Sequence, residues 1–166
     1  RHITTEFLGQ PYGPEDEERL GRRFSEQVLD EVLRCPFVPG AWELLERRSA
    51  GARLFVASGT PQEELREIVR VRGLEPFFTA VYGTPATKGE ILTRILRDEG
   101  IGTADVLFVG DAMTDLIGAR EAGVPFVGRG HEDPEVFAGE AVHPVRDMAQ
   151  DDELRDALAA APAPVP

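Results

Sequence analysis

The chain has 166 residues, of which 42% are hydrophobic and 29% are charged, and its formal net charge at pH 7 is -12. This composition is typical of a soluble globular chain, and no apolar run approaches the ~18 residues that a membrane span needs. A diffuse acidic surface repels nucleic acid and anionic membranes, so neither is an expected partner, although an anionic substrate is not excluded. Cys35 is the only cysteine, which excludes an internal disulfide and favours a reducing cytoplasm.

The N-terminal part of the chain is charged and helix-forming, and its apolar residues recur at helical spacing between residues 20 and 33. Pro36, Pro39 and Gly40 then interrupt the pattern. We therefore divide the chain into a helical unit over residues 1–35, a core over 36–150, and a C-terminal helix with a Pro-rich tail over 151–166.

Strand and helix patterns alternate through the core, which opens with a short amphipathic helix, AWELLERR. Short apolar runs without polar alternation are typical of strands covered on both faces. They predict strands at 53–58, 79–83, 106–110 and 124–128, with helices at 61–72, 88–99 and 115–122. Alternation at this spacing predicts an α/β fold, a doubly wound, Rossmann-like parallel sheet.

Capping patterns support these helices. Thr60-Pro-Gln-Glu63 predicts a capping box with proline at the first helical position, and Thr87-Lys-Gly-Glu90 predicts a second box. Glycines that follow the helical patterns predict where the three helices end: Gly73, Gly100 and Gly123.

Polar residues stand at the predicted strand ends, where open parallel sheets bind their ligands. The first strand ends in Ser58-Gly59-Thr60, which offers a hydroxyl and backbone N–H groups that suit phosphate oxygens. The alternative is a simple turn before a helix, and Thr60 is already explained as the helix cap.

Lys88 begins the helix after the second strand of the sheet. A cation in the first helical turn opposes the macrodipole at a cost of ~0.3–1 kcal/mol. Lys88 is therefore either a solvated lysine that tolerates this cost or a residue with an anionic partner. That partner would be a carboxylate at rest and a phosphate when substrate binds.

Two acids follow the apolar run VLFVG, with Asp111 directly after it and Asp115 four residues later. Asp115 alone is explained equally well as a helix cap. Two neighbouring carboxylates repel each other unless a cation lies between them, and hard oxygen ligands completed by water suit Mg²⁺. The pattern therefore predicts a magnesium site at Asp111 and Asp115.

The order and spacing of LFVASGT, TKGEIL and VLFVGDAMTDLIGAREAGVPFVG resemble the haloacid dehalogenase-like hydrolase superfamily. The closest likeness is to its phosphoglycolate-phosphatase-like branch, in which residues 1–35 would be the C-terminal part of a helical cap. The resemblance implies that Ser58 and Gly59 bind the phosphoryl group and that Lys88 neutralises it and the nucleophile. It also implies that Asp111 ligates Mg²⁺ and that Asp115 supports the metal directly or through water.

The family nucleophile lies in an Asp-x-Asp-x-Thr motif after the first, central strand, and these residues contain no such motif. Strands beside a missing central strand would keep unpaired polar groups, each costing on the order of 1–3 kcal/mol. We expect the nucleophile to lie in an N-terminal segment outside this sequence, and residues 1–166 alone to be inactive towards phosphoesters.

The reaction that the resemblance implies is hydrolysis of a small phosphorylated metabolite through an aspartyl-phosphate. Dehalogenase and phosphomutase chemistry share the scaffold and stay open. The alternatives are an inactive module that binds Mg²⁺ and phosphate, and a receiver-like domain, which the position of Lys88 before Asp111 disfavours. Arg129 and His131 could lie near the site, although a plain loop explains them too. The substrate and the oligomeric state are not readable.

Overall fold

The computed structural model describes residue 29 and residues 31–49, 51–130, 135–142, 144–145 and 147–149. The chain divides into two compact units, residues 1–36 and 37–166. Within the first unit, residues 31–34 are helical. The rest of the predicted N-terminal helix, His131 and the tail over 151–166 lie outside the described residues, and the assignment of a cap stays a prediction.

Every strand that the structure describes belongs to the second unit, in an α/β order that confirms the predicted fold class. The helices are α1 (Ala41–Ser49), α2 (Gln62–Val71), α3 (Lys88–Glu99) and α4 (Met113–Ala122). The strands are β1 (Phe55–Pro61), β2 (Ala80–Thr84), β3 (Phe108–Gly110), β4 (Phe126–Arg129) and β5 (Pro144–Val145). None of the described helices is long and apolar enough to cross a membrane.

The described strands form two parallel sheets, β1–β2 and β3–β4–β5. Parallel pairing is as predicted, and among the described residues the strands fall into two sheets. Among the described residues, β1 pairs only with β2 and β3 pairs only with β4. One edge of β1 and one edge of β3 therefore have no strand partner there.

Both faces of the β3–β4–β5 sheet are packed. Successive strand residues point to opposite faces, so each face has its own set of packed side chains. On one face, Val127 and Val145 pack with Leu44 of α1. On the other, Phe108 and Phe126 pack against a cluster contributed largely by α3 and α4: Leu92, Leu96, Ala119, Ala122 and Val124. Helices on both faces are the arrangement that unalternating apolar strands predict.

Helix α3 contacts both β1 and α4, so it links the two sheets on one side. Its crossing with α4 is close because both helices carry glycine where they meet. A Cβ on Gly118 would overlap Lys88 Cβ, and a Cβ on Gly89 would overlap the Glu121 side chain. These two glycines set how near Lys88 comes to α4.

Of the two predicted capping boxes, that of α3 is confirmed and that of α2 is wrong. Glu90 N donates to Thr87 Oγ1 at 3.3 Å, and Thr87 N donates to Glu90 Oε2 at 2.8 Å. Before α2, the strand continues to Pro61, which is the N-cap residue, and its side chain makes no capping hydrogen bond to the helix. The Thr60 hydroxyl instead accepts a hydrogen bond from Ser58 Oγ, so the strand end and not the helix engages it.

Candidate active site

The end of β1 leaves the regular sheet at the predicted phosphate-binding turn. Phe55 to Ala57 pair with β2 residue by residue, and the register then shifts so that Pro61 is the next residue to pair. Ser58, Gly59 and Thr60 therefore form a bulge. Ser58 Oγ accepts from Thr60 N at 3.1 Å and donates to Thr60 Oγ1 at 3.0 Å. No neighbour lies within 4 Å of a Cβ built on Gly59, so the turn is open above that residue.

Lys88 reaches from the start of α3 to β1 and to the first turn of α4. Its Nζ donates to Ala57 O at 2.5 Å, directly before Ser58, and lies 2.7 Å from Asp115 Oδ1. The side chains of Lys88 and Asp115 are only 18% and 8% exposed. The cation that opposes the helix dipole thus has the carboxylate partner that the sequence predicts for its resting state.

Lys88 is the only lysine among the 18 basic residues of the chain, which is a signal that motif reasoning did not use. A lysine ammonium is a compact point charge, whereas guanidinium is a broad planar fork. Lys88 Cβ lies against Gly118, and its Nζ lies close to two oxygens, Ala57 O and Asp115 Oδ1. This confined position suits the smaller cation.

Asp115 is nearly fully buried, at 5% exposure, and its two oxygens have different partners. Oδ2 accepts from the N–H groups of Asp111 and Ala112, both at 3.2 Å, and so fixes the loop between β3 and α4. Oδ1 faces Lys88 but accepts no well-oriented hydrogen bond. A Cβ on Gly110 would stand 2.5 Å from Asp115 Cβ, so this approach requires glycine. Asp115 is therefore not the N-cap, which is Ala112, but the third residue of α4, where it accepts from backbone N–H groups before the helix and pairs with Lys88 at once.

Asp111 is the exposed member of the acidic pair, because 69% of its side chain is accessible. Among the described residues it has a charged neighbour in Arg129, whose Nη1 lies 4.0 Å from Asp111 Oδ2. The Arg129 side chain is 13% exposed, and its Nε is buried without a hydrogen-bond partner. The residue that follows VPFVG thus lies beside the predicted metal ligand and not in a remote loop.

The carboxylates at the end of β3 fit a magnesium ion that keeps most of its water ligands. Asp111 offers an accessible carboxylate, whereas Oδ1 of Asp115 lies 2.7 Å from the Lys88 ammonium. No group of three or more histidine, cysteine, aspartate or glutamate side chains in the described parts of the chain could hold a metal. Mg²⁺ is commonly bound through one or two carboxylates plus water and substrate oxygens, so this small donor set matches it.

The structure joins Lys88 and Asp115 directly, connects Asp111 through the Asp115 carboxylate, and brings Lys88 beside Ser58 through the Ala57 carbonyl. Gln62 also reaches this end of β1, although the sequence reasoning did not single it out. Its side chain bonds to β2, and only the shifted register reveals that role.

The candidate side chains lie at the carboxyl ends of parallel strands in an α/β protein, which is where open α/β sheets generally bind their ligands. Residues 2–129 match the sequence model of the haloacid dehalogenase-like hydrolases, and the chain belongs to that family.

Among its relatives, a 5'-nucleotidase of Pseudomonas aeruginosa is 34% identical over 119 residues, which are 66% of this chain and 54% of that protein. A phosphoglycolate phosphatase of Caulobacter vibrioides is 32% identical over 127 residues, 72% of this chain and 53% of that protein. A crystal structure of a predicted phosphoglycolate phosphatase from Haemophilus somnus has a TM-score of 0.75 at 21% identity, over 92% of this chain and 71% of that one. The chain spans about half the length of the curated relatives it matches.

Proposed function

We propose that the protein is a Mg²⁺-dependent phosphatase that hydrolyses a small phosphorylated metabolite in the cytoplasm. The observation that carries the proposal is the position of Lys88, whose Nζ joins the backbone beside Ser58 to the Asp115 carboxylate. A cation and an open turn of backbone N–H groups bind a phosphoryl group, and carboxylates beside them bind its metal. Relatives that are phosphatases support the same reaction class.

Each residue of the site has a distinct task in this proposal. Ser58 and Gly59 bind phosphoryl oxygens through the hydroxyl and the backbone N–H groups, and Lys88 neutralises their charge. Asp111 ligates Mg²⁺, and Asp115 holds the Asp111 loop and Lys88 in place. Bound Mg²⁺ would supply further charge neutralisation of the transferring phosphoryl group.

The nucleophile in this proposal is an aspartate from a segment outside the 166 residues. It would attack phosphorus, break the ester P–O bond so that the protonated alcohol leaves, and form an aspartyl-phosphate, which water then hydrolyses to inorganic phosphate and the free aspartate. Two edges support this, because among the described strands β1 and β3 each have one edge without a partner. A parallel strand added at those edges would end near Lys88 and Asp111. The sequence contains no Asp-x-Asp-x-Thr motif, so an active protein would have to take its nucleophile from elsewhere.

The substrate class follows from the same features and from the charge of the chain. The net charge of the chain is -12, which disfavours nucleic acid and anionic membranes as partners. A small phosphomonoester contacts only the site itself, where local cations attract it. The names of the relatives, a nucleotidase and phosphoglycolate phosphatases, lie within this class.

The test first compares the intact mass of the natural protein with the 18.2 kDa of this chain. It then compares the phosphatase activity of residues 1–166 with that of the natural protein. We expect Mg²⁺-dependent hydrolysis of an aryl phosphate only when a nucleophile segment is present. Asp111→Asn in the active protein should abolish that activity, and the matched surface variant Asp98→Asn should leave it unchanged. Hydrolysis by residues 1–166 alone would contradict the external nucleophile.

The second candidate is an inactive module that binds phosphate and Mg²⁺. The missing nucleophile motif favours it, because the binding residues are present without the group that reacts. Phosphate binding by a natural protein of 18.2 kDa that lacks all phosphatase activity would establish this candidate.

A further inference from the structure

Arg129 is the last residue of β4, and strands on both sides of β4 fix its backbone. Gly128 is paired with β3, and Arg129 is opposite Val145 of β5. Successive strand residues point to opposite faces, so the Arg129 side chain lies on the same face as Val127, which is fully buried. The stem of the side chain is therefore enclosed by the protein, and its guanidinium group stands at the carboxyl end of β4 beside Asp111.

The guanidinium group of Arg129 lacks the hydrogen bonds that a buried cation needs. Nε is buried without a partner, and Nη1 lies 4.0 Å from Asp111 Oδ2, which is beyond hydrogen-bond distance. Burying a charge without such bonds is unfavourable. In the proposed function Asp111 also ligates Mg²⁺, so it cannot serve as the full counter-ion of Arg129. The structure thus leaves a cation at the edge of the site that an anion would satisfy.

Lys88 and Arg129 approach the acidic pair from opposite faces of the β3–β4–β5 sheet. Lys88 Nζ lies 5.8 Å from the centre of the Phe108 ring, on the face that α3 and α4 cover. Arg129 lies on the other face, and the acids at the end of β3 stand between the two cations. A ligand whose phosphoryl group lies at Ser58 and Lys88 would therefore meet Arg129 with a different part of the molecule.

We propose that Arg129 is a specificity-determining residue that binds a second anionic group of the substrate. A guanidinium group binds a carboxylate or a phosphate through paired N–H donors, so either acid fits this position. The inference rests on the proposed function, because it assumes a phosphoryl group at Ser58 and Lys88. It narrows the substrate to a small phosphomonoester with a further acidic group, since a neutral leaving group would not satisfy the guanidinium.

The test measures Kd values for the 166-residue chain in excess Mg²⁺ by calorimetric titration. Phosphoglycolate and ethyl phosphate are matched esters, of which the first ends in a carboxylate and the second in a methyl group. We expect the original chain to bind phosphoglycolate about tenfold more tightly or better, the scale of a hydrogen bond to a charged group. Arg129→Gln should remove this preference and change the affinity for ethyl phosphate less than about threefold, because its phosphoryl group interacts with Arg129 only at a distance.

Arg120→Gln is the matched control, because it removes an equal charge from an exposed pair with Glu140 and should keep the preference. A third ester, ethylene glycol bisphosphate, ends in a phosphate in place of the carboxylate. Whichever acidic ester loses more affinity in Arg129→Gln identifies the acid that Arg129 binds. A purely structural role predicts instead that all three esters lose affinity by the same factor and that the urea unfolding midpoint falls, and that result overturns the inference.

The affinities of the original chain decide the question even if Arg129→Gln does not fold. Equal affinity for ethyl phosphate and both acidic esters counts against the inference alone, because the phosphoryl group would then be the only group that the site recognises. A chain that binds none of the three esters counts against the proposed function and removes the inference with it.

Discussion

The ion pair of Lys88 and Asp115 is the contact on which the geometry of the site most depends. Removing one partner of a buried pair leaves the other charge uncompensated in a poorly solvated place, which typically costs 3–5 kcal/mol. We expect Lys88→Met to lower the free energy of unfolding by about 3 kcal/mol, towards the lower end because Asp115 keeps two backbone N–H donors. Urea unfolding measures this change.

The matched control for Lys88→Met is Arg94→Met on the same helix, since Arg94 also pairs with an aspartate, Asp98, at 3.2 Å. That pair is exposed and should contribute less than about 1 kcal/mol. Similar losses in the two variants would mean that the Lys88 pair is no more important than a surface contact. Lys88→Arg keeps the charge, yet it should not restore phosphate binding, because the wider guanidinium does not fit between Ala57 O and Asp115 Oδ1, where the compact ammonium lies.

Arg129 acts on the same site from the next strand. With Nη1 4.0 Å from Asp111, its positive charge opposes a divalent cation at that carboxylate. We expect Arg129→Gln to tighten Mg²⁺ binding about threefold or more at low salt, and added salt to reduce the difference because it screens the repulsion. Calorimetric titration of the protein with Mg²⁺ measures both effects.

Arg120→Gln is the control for Arg129→Gln, since it removes an equal charge from the exposed pair with Glu140. It should leave the Mg²⁺ affinity unchanged. Equal affinities in the Arg129 and Arg120 variants would remove Arg129 from the electrostatics of the site, and no Mg²⁺ binding in any variant would contradict the metal assignment itself.

At the scale of elements, the crossing of α3 over α4 determines where Lys88 stands. A methyl group on Gly118 has no room because Lys88 Cβ and the backbone of Gly89 already occupy the space. Overpacking of this kind costs roughly 1–3 kcal/mol. Gly118→Ala should therefore destabilise the protein by that amount and weaken phosphate binding, because α3 must move and takes Lys88 with it.

Gly51→Ala is the comparison for Gly118→Ala, because no neighbour lies within 4 Å of a Cβ at Gly51. It should leave both the unfolding midpoint and the phosphate affinity nearly unchanged. A Gly118→Ala variant as stable as Gly51→Ala would mean that the two helices can separate without cost, and that the crossing does not fix Lys88.

The elements were predictable where local chemistry defines them. The helix over 88–99 has the predicted bounds, because the Thr87 box and Gly100 at φ 64° define both of its ends within the helix's own sequence. The box at Thr60 failed because a tertiary feature, the shifted register against β2, extends the strand to Pro61. The short β5 pairs through only two residues, which is too few to give a sequence pattern.

The ion pair of the site was predictable from the sequence, whereas its magnesium ion stays a prediction. A lysine that opposes a helix dipole predicts an anionic partner, and the structure has Asp115 in that place. The roles of Gln62 and Arg129 depend on strand neighbours that are distant in sequence, 19 residues for the bond from Gln62 to Val81 and 18 for the contact of Arg129 with Asp111. Such contacts follow from register, which no local pattern determines.

At the scale of the whole molecule, the described strands fall into two sheets that α3 links on one side. Phe108 N donates to Pro125 O, so Phe108 faces β4, and its neighbours Leu107 and Val109 present their backbone groups to the other edge. On β1, the same alternation turns Ala57 away from β2, and its carbonyl accepts from Lys88 instead of a strand. The proposal of an external strand therefore depends on these two edges.

Amide hydrogen exchange of residues 1–166 tests both edges residue by residue. We expect Val56 and Phe108 to be protected by their sheet partners, and Ala57 and Val109 to exchange at least about tenfold faster, because no strand covers them. A peptide with an apolar strand followed by Asp-x-Asp-x-Thr, added in excess, should slow exchange at Ala57 and Val109 and leave Phe108 unchanged. Equal protection of all four amides in the chain alone would mean that these residues already complete their own sheet, so that the catalytic aspartate would have to be sought within residues 1–166.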